Sequence, residues 1–333
     1  MSLGQQSLIK AFQYYASTRP KEKILLVPNG EEYEEINFQN FDFIINKYAN
    51  YWKKQLKNEN LKKNSVIGYL SQSGPEYLYN IMALWKLGFV ILLLSPRNSE
   101  ADLVHLLQEA KSHILIHNLQ LSKISKNVQN KMNSQYSQKL KIFQLSKNLK
   151  NEKIDHSEPF WFNFISQINK PDDIILSTAP LFHMYGFIRV LTFILNPGSV
   201  YVFPIVAGSV PLINEILHSL KQSNASVFYT LPAILEQIHK NHSDEIKILT
   251  KLRSVYYAGA ALLPHVGEQL IKSGVKIISN YGTTEVGVIM SSLKDSSSPE
   301  FSKIPWNAMK FLIPKNYYKL IERNDIIDGA KEL

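Results

Sequence analysis

The chain has 333 residues, 45% of them hydrophobic and 20% charged, which places it in the globular range and gives it enough length for one large domain or two ordinary ones. It contains no cysteine, excluding disulfide scaffolds, thiolate metal sites and cysteine nucleophiles. The net charge is +9, but eight lysines against one acid, Glu152, crowd between Leu121 and Lys153 with two aromatics, Tyr136 and Phe143, so the excess reads as a solvated connector in preference to a nucleic-acid surface.

Met1 to Tyr15 lacks the basic segment and apolar core of a secretory signal. The longest apolar stretch, Ile81 to Leu94, is interrupted by Lys86 and Gly88 and is shorter than the roughly 20 residues a bilayer requires. A cytoplasmic protein with no membrane span and no nucleic-acid partner is expected.

In chain order, short apolar runs alternate with segments of helical period, the pattern of parallel strands covered by helices in an α/β fold. Ser65–Leu70 predicts a strand, Pro75–Leu87 a helix, Phe89–Leu94 a buried strand, Ser99–Ala110 a helix and His113–His117 a strand. Ser99 and Asp102 have the spacing of a capping box. From Asn118 to Lys153 high lysine content and few large apolar side chains predict an exposed, mobile segment. The alternation resumes with a strand at Asp173–Thr178, a helix at Tyr185–Leu195, a strand at Ser199–Pro204, a helix at Pro211–Gln222 and a strand at Ser226–Tyr229. A helix at Pro232–Lys240, a strand at Ser254–Tyr257, a helix at Pro264–Ser273 and a strand at Val275–Ser279 follow. Beyond a break at Ser296–Pro299, Tyr317–Glu322 predicts a last strand.

The predicted strand ending at Ser279 leads into Asn280-Tyr281-Gly282-Thr283-Thr284-Glu285. The carboxyl ends of strands in open α/β sheets face the ligand crevice. There a tyrosine can stack on a base, a glycine admits close approach, threonine hydroxyls bond phosphate oxygens and a carboxylate holds Mg²⁺. Taken alone, the same residues fit ordinary turn chemistry equally well. A second strand end, Ser177-Thr178-Ala179-Pro180-Leu181-Phe182-His183-Met184-Tyr185-Gly186, places His183 at a helix start, where an isolated histidine is more often a packing residue.

Together, the two segments resemble the adenylate-forming superfamily of acyl-CoA synthetases, luciferases and adenylation domains. Tyr281–Glu285 matches its Tyr-Gly-x-Thr-Glu motif and Pro180–Gly186 its Pro-Leu-Phe-His-x-x-Gly motif, in the right order. Tyr257-Ala258-Gly259-Ala260-Ala261-Leu262 resembles the intervening Gly-Gly-Ala-Pro-Leu loop with two substitutions. Gly68–Leu70 through Leu93–Ser99 is similar to the opening βαβ region of fungal reductase-like members. The resemblance implies the family's large-domain fold, with mostly parallel sheets covered by helices and without the small C-terminal domain. It divides the chain into a first part of the AMP-binding domain (1–118), a lysine-rich connector (119–170), a second part with the nucleotide loops (171–295) and a tail (296–333).

By the same resemblance Tyr281 stacks on adenine, Thr284 contacts the α-phosphate and Glu285 ligates Mg²⁺. Gly259, Ala260, Asn280, Gly282 and Thr283 line the nucleotide and acyl pocket, and His183 stands at the acyl side. The implied ligands are ATP or AMP, Mg²⁺, a carboxylic acid, and a thiol acceptor such as CoA or phosphopantetheine. The catalytic set so implied is His183, Thr284 and Glu285.

The family's glycine-rich phosphate loop should precede Pro180, yet no glycine occurs between Val90 and Tyr185. The ribose-binding aspartate and the small domain with the adenylation lysine have no counterpart before Leu333. Three readings stand: a ligase homologue impaired in catalysis, a silent binding or regulatory module that works with a partner, and part of a longer active enzyme.

Overall fold

The computed structural model describes residues 8–136, 139–145, 172–195, 198–206, 211–284, 287–292 and 305–312. Its first elements carry no prediction above: α1 (Leu8–Thr18), β1 (Lys23–Asn29), β2 (Glu32–Asn37) and α2 (Phe38–Gln55). Gly30, at φ +66, turns β1 into its antiparallel partner β2. The Asn37 side chain accepts from the Asn40 amide at 2.8 Å and so caps α2. That helix buries Phe38, Phe41, Ile45, Ala49 and Trp52, a stripe at three- and four-residue spacing. The Trp52 Nε1–H donates to Asn80 Oδ1 at 2.7 Å, joining α2 to α3 (Pro75–Lys86) inside the core.

Next comes a four-stranded parallel sheet in the order β4 (Val90–Leu94), β3 (Val66–Leu70), β5 (Ile114–His117), β6 (Lys141–Gln144). Helix α4 (Glu100–Glu109) begins with the expected capping box: Ser99 Oγ accepts from the Asp102 amide at 3.2 Å, and the Asp102 carboxylate accepts from the Ser99 amide at 3.0 Å.

The lysine-rich segment corrects the expectation of an exposed, mobile connector. Residues 122–135 form α5 (Ser122–Gln135), which buries Ser125, Val128 and Met132, and β6 then pairs with β5. Val128 and Met132 join Leu103, Leu107 and Leu115 in one apolar cluster, with Ile124 packed at its edge. A single stripe at 124, 128 and 132 is enough to seat the helix, while its lysines point away and Lys131 pairs with Glu100 at 2.5 Å. Residues 146–171, the rest of the predicted connector, lie outside the described residues.

The larger sheet runs β13-β12-β11-β10-β9-β7-β8-β1-β2. Its parallel centre comprises β11 (Ile277–Thr283), β10 (Ser254–Tyr257), β9 (Val227–Thr230), β7 (Ile174–Ser177), β8 (Val200–Val202) and β1. Antiparallel pairs close both edges, with β12 (Gly287–Ser291) and β13 (Lys310–Phe311) at one and β2 at the other. Helices α7 (Ile213–Gln222), α8 (Pro232–Asn241), α9 (Ile246–Thr250) and α10 (Pro264–Lys272) supply one apolar layer with β7, β9, β10 and β11. Helix α6 (Met184–Leu195) packs instead with α1 and α3 and buries Phe187, Val190 and Leu191. Among the described residues no helix is long and apolar enough to cross a membrane. The strand expected at Tyr317–Glu322 and the break at Ser296–Pro299 lie outside them.

One correction bears on the site. The predicted strand does not end at Ser279: β11 continues through Asn280, Tyr281, Gly282 and Thr283 and pairs antiparallel with β12, its register shifting between Tyr281 and Gly282. The motif is the rising arm of a hairpin. A Cβ on Gly282 would collide with the backbone of Gly287 and Val288, so this glycine lets two strands meet and serves the hairpin before any ligand.

Candidate nucleotide site

The carboxyl ends of β7, β9, β10 and β11 converge on one cavity of about 370 Å³. Ala179 and Pro180 follow β7, Leu231 follows β9, Ala258 and Gly259 follow β10, and Asn280 to Thr284 form the far wall. The small sheet contributes Arg97, from the turn after β4. Four adjacent parallel strands thus open on one crevice, where ligands of open α/β sheets bind.

Helix α6 forms the remaining wall through Met184, Tyr185 and Ile188, with His183 just before it. The turn into the helix is tight: the His183 amide donates to the Pro180 carbonyl at 3.1 Å and the Phe187 amide to the His183 carbonyl at 2.9 Å. A Cβ on Gly186 would strike the carbonyls of Ala179 and Pro180, which explains a glycine inside the first helical turn. This packing fixes His183 on the rim, its ring 4.8 Å from Phe182. Partial burial and, secondarily, the Arg97 charge hold the His183 imidazole below the ordinary histidine value, so it is neutral at pH 7 and able to accept a proton or a hydrogen bond.

Asn280 and Tyr281 occupy opposite situations on adjacent positions of β11. Tyr281 is 49% exposed and presents its ring to the cavity, whereas Asn280 is buried at 4%. Among the described residues, neither the amide nitrogen nor the carbonyl oxygen of the Asn280 side chain has a hydrogen-bond partner, although both are shielded from solvent. A buried carboxamide left unsatisfied is costly, and this one lines a cavity.

Of the residues expected from sequence, His183, Gly259, Asn280, Tyr281, Gly282, Thr283 and Thr284 all border this cavity. Ala260 is exposed and off its wall, where Ala258 stands instead. Glu285, expected to ligate Mg²⁺, lies outside the described residues. The described lining contains no carboxylate, and among the described residues no three His, Asp or Glu side chains cluster as metal ligands. Arg97, Leu231 and Ala258 carried no sequence assignment. All three follow the carboxyl end of a parallel strand, which is the signal that could have found them.

The AMP-binding enzyme family matches the chain over residues 12–164 and 153–321. The adenylate-forming reductase stbB of Stachybotrys bisbyi is 35% identical over 112 residues, 34% of this chain and 10% of that protein, so the aligned stretch spans about a tenth of the relative. Among solved structures, the anthranilate CoA ligase AuaEII in complex with anthranoyl-AMP superposes with a TM-score of 0.68 at 15% identity, covering 86% of this chain and 60% of that one. The N-terminal domain of FACL13 from Mycobacterium tuberculosis gives 0.66 at 12% identity, over 84% of this chain and 77% of that one. With the strand-end cavity, these matches establish that the chain belongs to the AMP-binding enzyme family of the adenylate-forming superfamily and has the α/β fold of its large N-terminal domain.

Proposed function

We propose that this chain binds AMP or an acyl adenylate and, acting alone, is impaired in ATP-dependent acyl adenylation. The observation that carries the reading is the buried Asn280 carboxamide, unpartnered among the described residues, beside the half-exposed Tyr281 ring. A carboxamide offers donor and acceptor groups in a plane, the complement of an adenine edge, and an adjacent aromatic face holds the base by stacking; shielded in the free chain, the Asn280 side chain turns toward the cavity to meet the base. Thr283 and Thr284 stand where hydroxyls can bond the α-phosphate, with Glu285 as the carboxylate that would hold Mg²⁺. Magnesium there would neutralise phosphate charge. His183 and Arg97 border the acyl end, where a neutral imidazole and a guanidinium can orient a carboxylate and receive a thiol acceptor such as CoA or phosphopantetheine.

The family reaction joins a carboxylate oxygen to the α-phosphorus as the bond to pyrophosphate breaks. Its transition state needs fixed charge and amide donors around the leaving phosphates. A glycine-rich loop supplies those donors by close backbone approach, and the absence of glycine between Val90 and Tyr185 removes the means. That absence also favours a second reading, a binding or regulatory module completed by a partner or by further domains.

Calorimetric titration with AMP, ATP and a non-hydrolysable acyl-adenylate mimic tests the proposal. AMP and the mimic should bind more tightly than ATP, because the extra phosphates lose hydration without gaining ligands. Tighter ATP binding would refute the impairment, and no nucleotide binding would refute the site.

A further inference from the structure

Helix α6 carries a second unsatisfied group, one turn beyond Tyr185. Arg189 is 2% exposed, and its Nε and Nη2 atoms have no hydrogen-bond partner among the described residues. Its guanidinium lies 4.6 Å from the centroid of the Tyr229 ring and 5.5 Å from that of Tyr185. Tyr229 in turn stacks on Tyr256 at 4.7 Å and 14°. The Tyr185 hydroxyl, on the residue that lines the cavity, is likewise buried and unpartnered.

Stacked rings attract the cation through their faces, but a guanidinium directs its N–H bonds outward in its own plane, and a ring face does not satisfy them. A buried cation held in this way costs more than the rings return unless an anion completes it. Asp173, the acid whose charge reaches Tyr229, is already bound by Arg253, whose Nε donates to Asp173 Oδ1 at 3.0 Å. Tyr185 and Arg189 share one face of α6 a single turn apart. Arg189 does not itself line the cavity; its guanidinium lies behind the wall, against the Tyr185 ring that does.

We propose that the acid accepted by this site carries a second, distal carboxylate, which enters along α6 and pairs with Arg189 beside the Tyr185 hydroxyl. The inference rests on reading the cavity as an acyl-adenylate site and adds the substrate class: dicarboxylic acids, in preference to neutral-tailed ones. The fork of Arg189 suits a carboxylate bidentately, and Tyr185 Oη can donate a further hydrogen bond to it.

The test uses two 5′-sulfamoyladenosine mimics, one acylated with adipic acid and one with its monoamide, titrated into the wild-type chain and Arg189→Met, with AMP as control for the nucleotide half. The adipoyl mimic should bind about tenfold or more tightly than the amide, and Arg189→Met should abolish the difference. Without ligand, Arg189→Met should unfold at the same or a higher temperature, since an apolar side chain replaces a buried charge. Equal binding of the two mimics to the wild type, a preference that survives in Arg189→Met, or a lowered unfolding temperature in that variant would overturn the proposal. If AMP and both mimics fail to bind, the nucleotide reading fails, and free adipate then decides the matter of Arg189. Protection of the wild type from thermal unfolding by adipate but not by adipamate, lost in Arg189→Met, would support the anion site; no protection would sink it.

Discussion

Lys86 Nζ sits 3.2 Å from Asp42 Oδ1 and ties α3 to α2, with the lysine side chain 2% exposed and the aspartate 32%. The ammonium also donates to Asn46 Oδ1 at 2.7 Å. Burial lowers the Lys86 pKa below the ordinary lysine value, and Asp42 opposes that shift without cancelling it. Asp42→Ala should cost on the order of 3 kcal/mol, because it removes the carboxylate facing a buried cation. Lys86→Met should cost far less, the stem being replaced by apolar volume. Between the lowered folded value and 10.5 the unfolded chain binds more protons at this position, so stability should rise with pH in that window. Buried tyrosines such as Tyr69 and Tyr77, raised above 10.0, act oppositely above that pH. Urea denaturation of wild type and Lys86→Met, compared below pH 10, isolates the lysine; an identical pH slope in the two proteins would refute this account.

Helix α5 should behave as part of the small sheet's core. Met132 is 1% exposed and packs with Val128 and Leu140, so Met132→Ala should destabilise by about 2–5 kcal/mol. Limited trypsinolysis should spare Lys123, Lys126 and Lys131 in the wild type and attack them in the variant. Early cleavage at these lysines in the wild type would instead restore the exposed-segment expectation.

The failure at α5 shows where sequence pattern stops being informative. The alternation that predicts β3 to β5 rests on unbroken apolar runs such as Val90–Leu94, although that run forms an edge strand, half-buried except at Leu94, where the sequence predicts a buried one. In α5 three apolar positions in fourteen residues are diluted by Lys, Asn, Gln and Ser, and the stripe becomes significant once β5 and α4 offer it a surface. The site splits similarly. Tyr281, Gly282 and Thr284 are legible because they belong to one short sequence motif at the end of β11. Arg97 reaches the cavity from a different sheet: its place after a strand end marks it as a candidate, but which sheets meet at the cavity is not written in the local sequence.

The hairpin at β11 and β12 gives a sharp steric prediction. A methyl group at Gly282 meets the Gly287 carbonyl, a backbone atom that cannot rotate away. Gly282→Ala should therefore displace β12 and weaken AMP binding while leaving the far-UV circular dichroism of the other strands and helices in place. Unchanged AMP affinity in a folded variant would separate the hairpin from the nucleotide site.

Arg97 and His183 predict a measurable electrostatic link across the two sheets. The Arg97 charge contributes to the lowered His183 pKa, second to burial. Arg97→Ala should move the imidazole upward toward, but not to, the ordinary value of 6.5, since the desolvation remains. Titration of the His183 ring protons by NMR in both proteins measures the shift, and a downward or absent change would place the guanidinium elsewhere.

Asn280 and Tyr281 make the final and most discriminating pair, because neither substitution should destabilise the free protein while both should weaken the complex. Asn280 has a buried carboxamide with no partner among the described residues, so Asn280→Ala removes an unsatisfied group and should leave the free chain as stable as before, or more so. A carboxamide kept for packing would give the reverse result. The same substitution should weaken AMP binding, since the donor and acceptor that read the base are gone. Tyr281→Ala deletes a ring that is half in solvent, so stability should again change little, while loss of stacking should cost about 1–3 kcal/mol in AMP affinity. The double variant should lose less than the sum of the single losses, because a base no longer stacked on Tyr281 is poorly placed for Asn280. Thermal unfolding and calorimetry on the four proteins complete the cycle. Destabilisation of the free chain by Asn280→Ala with unaltered AMP affinity would reassign this residue to the core and remove the observation on which the nucleotide site rests.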